Sequence, residues 1–215
     1  MMRTACWKAV LATVLLLWAR GAAAASGLDV RYSITVHFDP TDHTLTGTAE
    51  VSVTNHTGMS VPEIPFVLYP NRYREADPDL DVTARERIYP RAFNPGSIAI
   101  TAAETAAGTP VDMAIDGGAV PPYTIARATL PRAMGPDGVV ALRIQFVTFI
   151  PEKFGVFGHF QGVTTLKGGW YPYVPPWRDG GWALDVPPDP AFYAVSISAP
   201  GVVTIAGAEP VDDGT

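Results

Sequence analysis

Apolar residues alternate with polar ones from Tyr32 onward. Tyr32, Ile34, Val36 and Phe38 are interrupted by Ser33, Thr35 and His37. From Leu45 the alternation returns: Leu45, Gly47, Ala49, Val51 and Val53 stand against Thr46, Thr48, Glu50 and Ser52. A period of two over this length places one side of an extended strand in a core and the other in water. Asp39-Pro40-Thr41-Asp42 between the runs is turn chemistry. The chain therefore opens its folded part with a β-hairpin. Proline and glycine, 21 and 20 of 215 residues, punctuate the rest too often for long helices.

Further strands are expected at 64–69, 97–102, 111–115, 123–130, 139–150, 192–199 and 202–205. Pro62 and Pro65 push the first of these to a sheet edge, because proline cannot donate to a ladder. Gly108-Thr109-Pro110, Asp116-Gly117-Gly118, Pro131 and Gly135-Pro136-Asp137-Gly138 read as turns. Short strands at this spacing give an all-β fold, a sandwich or open curved sheets.

Residues 1–25 read as a signal peptide. Arg3 and Lys8 form a positive head, 9–18 an apolar core too short to span a bilayer, and Ala23-Ala24-Ala25 a cleavage site. Such a leader implies an exported, periplasmic or secreted protein. Cys6, the only cysteine, lies within it, so the mature chain has no disulfide and no cysteine metal ligand. About 190 residues remain for one domain. We divide them into a β domain at 26–208 and a polar tail at 209–215. The net charge is −6, and −9 once Arg3, Lys8 and Arg20 are set aside. With no basic run, nucleic acid and anionic membrane are poor partners.

Residues 72–94 carry much of the charge in mixed signs and read as a solvated loop. Asp77, Asp79 and Asp81 have the odd spacing of a hard-cation loop but lack its turn glycine and closing glutamate. Asn55-His56-Thr57 fits a glycosylation sequon, a triplet common by chance.

The stretch 154–177 is dense in aromatics and glycines and carries almost no charge. It reads as a crossover packed on the β core. Phe157, His159, Trp170, Tyr171 and Trp177 are candidates for an aromatic surface on which a second domain docks. A glycan platform of Trp170, Tyr171, Tyr173, Trp177 and Trp182 is the alternative. Among His37, His43, His56 and His159, none forms a ligand pair at helical spacing, and only His159 lies in a segment of interest. There is no Gly-x-Ser-x-Gly elbow and no phosphate loop. Asp179 and Asp185 are close in sequence, but acid–base work needs a pocket as well. No catalytic residue and no metal ligand is assigned.

Tyr32-Ser33-Ile34-Thr35-Val36-His37-Phe38-Asp39-Pro40, followed by the strand from Leu45 through Gly47 to Thr54-Asn55, resembles the amino-terminal domain of M1-family zinc aminopeptidases. Phe66-Val67-Leu68-Tyr69-Pro70-Asn71 and Gly169-Trp170-Tyr171-Pro172 are similar to bacterial members, and 192–200 looks like the later strand before the catalytic domain. The resemblance implies a saddle-shaped, mostly antiparallel β-sandwich that packs on a thermolysin-like domain and shapes its peptide substrate. It also implies that zinc belongs to that second domain, because His-Glu-x-x-His and Gly-x-Met-Glu-Asn do not occur here. The chain would then be a non-catalytic scaffold, needing no cofactor of its own. The family's substrate-contacting Gln falls on Gln161; its companion Glu is replaced by Val163.

Overall fold

The computed structural model describes residues 27–119, 121–201, 203–204 and 209. The expected signal peptide, Cys6 and most of the polar tail lie outside them. Among the described residues twelve strands are present: β1 (Leu28–Asp39), β2 (Thr44–Asn55), β3 (Val61–Val67), β4 (Ser97–Thr105), β5 (Met113–Asp116), β6 (Ile125–Met134), β7 (Val139–Phe149), β8 (Phe157–Phe160), β9 (Val163–Leu166), β10 (Trp177–Arg178), β11 (Gly181–Trp182) and β12 (Phe192–Ser198). A five-stranded sheet runs in the order β12-β1-β2-β7-β4, and a three-stranded sheet in the order β3-β6-β5. Hairpins β8–β9 and β10–β11 are separate. The fold is all-β and sandwich-like, with one apolar core drawn from both large sheets.

The alternation explains which face is buried. Tyr32, Ile34 and Val36 of β1 lie against Val51, Ala49 and Gly47 of β2 in the ladder, and the outward Thr35 stands opposite Thr48. Val51, Ala49 and Gly47 in turn meet Leu142, Ile144 and Phe146 of β7. Ile64 and Phe66 of β3, with Ala126 and Ala128 of β6, close the core from the second sheet. β3 is an edge, as its prolines require, and the pairing slips between Val61 and Glu63 around Pro62.

That slip corrects the reading of Pro131 as a turn. β6 runs through it. Its pairing to β3 jumps from Thr129 to Met134, and β5 pairs only with 125–128. No ladder therefore asks Pro131 for a hydrogen. The loop at 72–94 also holds a short helix, α1 (Val82–Ile88), capped by the Asp81 carboxylate on the Ala84 amide at 2.8 Å. Asp77 similarly accepts the Asp79 amide at 3.0 Å. These aspartates hold local backbone, and α1 buries no residue. Charge concealed the helix because mixed signs read equally well as coil. The expected partner strand at 202–205 is not seen at Val203 and Thr204; the rest of it lies outside the described residues. β12 pairs instead with β1, in parallel.

Asn55 is buried in a joint. Its Nδ2 donates to the carbonyls of Met59 (2.7 Å), Met134 (3.1 Å) and Gly135 (2.9 Å), and its Oδ1 accepts the Thr57 amide at 3.0 Å. An amide nitrogen so enclosed offers no acceptor for a glycan.

Candidate functional site

The aromatic stretch divides. Its second half lies across the β3 edge, where the Val67 amide donates to the Tyr173 carbonyl (2.7 Å) and the Tyr173 amide to the Val67 carbonyl (3.2 Å). The Val174 amide donates to the Tyr32 hydroxyl at 2.8 Å, and the Thr148 hydroxyl to the Trp170 carbonyl at 2.8 Å. Gly169, at φ 68°, would press a Cβ to within 3.1 Å of Tyr69, so the sequence motifs around Tyr69 and Gly169 touch. Asn71 of the first motif is buried, accepting the Ile98 amide (2.8 Å) and donating to the Tyr123 carbonyl (2.7 Å).

This packing settles where the candidates sit. Phe157, Trp170 and Tyr171 are buried, at 0%, 8% and 8% exposure. They belong to the core, which corrects their expected place on an open surface. Large rings beside glycines were absorbed by the second layer, where they remove most apolar area from water. Tyr173 is buried as well. Trp177 and Trp182 are half-buried and meet edge to face, with centroids 5.1 Å apart. Three of the five rings proposed for a glycan platform are therefore covered, and the other two are not coplanar.

Tyr32 forms a second ring cluster, stacked on Tyr193 of β12 (4.9 Å, 4°) and edge-on to Tyr171 (5.6 Å). Burial pushes the Tyr32 and Tyr171 phenols well above their usual range; the amide of Val174 partly offsets this at Tyr32.

The first half of the stretch forms the β8–β9 hairpin. Lys153, just before it, is buried with no carboxylate in an ion pair among the described residues. Its ammonium donates to the carbonyls of Phe154 (3.1 Å) and Phe157 (3.2 Å) and lies 4.6 Å from the Tyr73 ring centre. Burial lowers its pKa from the usual lysine range. His159 of β8 stacks on His43 of the β1–β2 turn, centroids 3.4 Å apart and planes 11° from parallel. Nδ1 of His43 is buried without a hydrogen-bond partner. Burial holds the His159 imidazole below its usual pKa, and His43 adds to this. Gln161 occupies the exposed tip of the hairpin at φ 49°.

Neither Lys153 nor the partnership of His43 with His159 was foreseen. His43 lies in a turn far away in sequence, and no spacing rule joins them. Among the described residues, no group of three His, Cys, Asp or Glu side chains could hold a metal ion.

No family model matches the chain, and no curated protein matches it. Among solved structures it is similar to an M1 zinc metallopeptidase from Deinococcus radiodurans, at 18% identity and TM-score 0.49, covering 81% of this chain and 33% of that one. A mutant of that enzyme bound to a Tyr-Ser-Ala substrate gives the same values. Yeast LTA4 hydrolase in complex with bestatin is similar at 10% identity and TM-score 0.35, over 56% of this chain and 14% of that one. The chain spans about a third of the length of the Deinococcus structures it matches.

Proposed function

We propose that this chain is the non-catalytic N-terminal β domain of an exported, periplasmic or secreted M1-type zinc aminopeptidase. Its role is to support a second, zinc-bearing domain that removes N-terminal residues from peptides, and to shape the peptide's approach. Two features of the chain support the reading. The motifs of the resemblance fall on β1, β2, β3 and β12 in the expected order. Two of them, around Tyr69 and Gly169, pack against each other.

The observation that carries the docking role is β12. Its Tyr193 and Val195 share the core-side register with Tyr32 and Ile34 of β1, yet remain 38% and 41% exposed. A sheet face built to be covered is left open at its last strand, and an apolar face of this kind fits a protein partner. Trp177 and Gln161 are retained as candidate docking and substrate contacts.

The test begins with the coding sequence after residue 215. An in-frame or adjacent reading frame encoding His-Glu-x-x-His is expected. Produced together, the two parts should co-elute on size exclusion and cleave amino-acid anilides. Val195→Asp, on an exposed position, should weaken their association at least tenfold. Anilide cleavage by this chain alone, or absence of any such reading frame, would overturn the proposal.

A further inference from the structure

The β8–β9 hairpin is fastened to the rest of the molecule at two levels. At its base, Phe157 is buried, the Lys153 ammonium reaches the Phe157 carbonyl, and the His159 amide donates to the Pro151 carbonyl at 2.9 Å. Farther out, the hairpin meets the β1–β2 turn through the His159–His43 stack. That turn is itself pinned, because the Ile150 amide donates to the His43 carbonyl at 2.9 Å. His43 adopts φ 52°, a left-handed backbone uncommon outside glycine and asparagine.

Two neutral imidazoles face to face at this separation touch over their flat faces and gain dispersion contact without net charge. Two imidazolium ions at the same separation repel, in a site where part of each ring is out of water. We propose that the His43–His159 stack is an acid-sensitive latch: it holds the β8–β9 hairpin on the β1–β2 turn while at most one ring is charged, and releases the outer hairpin when both are.

The other charged groups around the pair set its range. Glu152, in the segment after β7, pairs with His159 through a backbone bridge, and its carboxylate charge favours a proton on the His159 ring. Arg91, from the segment before β4, opposes it and is itself tied to Glu152 at 3.4 Å. On the turn, Asp39 spends its carboxylate on the amides of Thr41 (2.7 Å) and Asp42 (3.4 Å). Asp42 immediately precedes His43. The Glu152 carboxylate, shared with Arg91, is the acidic group that acts on His159 against two potential imidazolium charges. The base of the hairpin keeps Phe157 and the Lys153 clamp, so release concerns residues 159–167 and the Gln161 tip.

Native-state amide hydrogen exchange on the full chain tests the latch. Rates at pH 7.5 and pH 5.0 are compared after correction for the intrinsic pH dependence of exchange. Protection of 159–167 should fall about tenfold or more on acidification, while β2 and β7 hold theirs. His43→Asn, a residue tolerant of the left-handed turn, should abolish that pH dependence. His159→Gln should do the same. Equal protection at both pH values in the unaltered chain would overturn the proposal, as would a pH-dependent loss that persists in His43→Asn. If either variant does not fold, a proton NMR titration of the unaltered chain decides. The outer-hairpin amide shifts should follow the second imidazole titration; amides that ignore it would refute the latch.

Discussion

The two halves of the aromatic stretch differ in composition and in fate. Residues 170–176 are buried across the β3 edge and tied to both large sheets through Val67, Tyr32 and Thr148. Residues 160–168, which set Phe160, Val163 and Leu166 among two glycines and four polar side chains, stand out from the body, with Val163 66% exposed. What separates them is the surface opposite each. The buried run lies over backbone groups of an edge strand and a tyrosine that presents its hydroxyl inward. The hairpin has its own partner strand, the His159–His43 stack, the edge-on contact of Phe160 with Phe154 and Leu166 against the core. Composition sets what a segment can bury; the neighbouring layer decides whether it does.

The sharpest way to break this contrast is to truncate one apolar side chain in each half. Trp170→Ala should cost about 3–5 kcal/mol, the range for removing a large buried aromatic. Val163→Ala at the hairpin should stay within about 0.5 kcal/mol. Urea unfolding followed by circular dichroism reads both. Similar values for the two would mean that the hairpin is as integral as the buried run.

The tyrosine beneath the buried run gives the next largest effect. Tyr32→Phe leaves the Val174 amide without its acceptor, at about 1–3 kcal/mol. It also changes the alkaline limb. The folded protein holds the Tyr32 and Tyr171 phenols protonated above the value at which unfolded tyrosine ionises, about pH 10. Stability from these groups is whole below pH 10 and drains as pH rises beyond it, because only the unfolded chain releases the protons. Tyr32→Phe should flatten that loss between pH 10 and 11.5, measured as the denaturation midpoint against pH. An unchanged slope would show that the phenol titrates in the folded state.

Much of this was legible in the sequence, for reasons that particular residues make plain. β1, β2 and β7 alternate cleanly because one face of each is dry, and the turn at Asp39–Asp42 fixes their register. Pro62 announced an edge. The parallel pairing of β12 to β1 was hidden: alternation reports a strand's faces but says nothing of its neighbour or direction. Phe157, Trp170 and Tyr171 were recognised as important yet assigned outward, since aromatic density looks the same in a core and on an interface. The His43–His159 stack was invisible because it is a contact between a turn and a hairpin, each unremarkable alone.

Thr148→Val tests the seam between the halves' supporting sheet and the buried run. The hydroxyl of Thr148 is fully buried and reaches the Trp170 carbonyl at 2.8 Å. Its loss should cost about 1 kcal/mol and leave the hairpin's exchange untouched. A large rise in exchange at 159–167 would show that the two halves are coupled rather than independent.

The smallest effect carries the opposite sign. Gln161 and Gly162, at φ 49° and 76°, form the two-residue connection between β8 and β9, where both positions need a left-handed backbone. Glycine or asparagine enters that geometry with little steric penalty, whereas a longer side chain pays about 1 kcal/mol or less. Gln161→Asn should therefore stabilise the hairpin by about 0.5 kcal/mol, read as slower amide exchange at 160–166 with the global unfolding midpoint nearly unchanged. Gln161 then departs from the residue its turn favours, as expected of a side chain kept for contact at an exposed tip. Stabilisation with undiminished peptide turnover, once the chain is assembled with a zinc-bearing domain, would remove Gln161 from the substrate path and leave the hairpin a mechanical role alone.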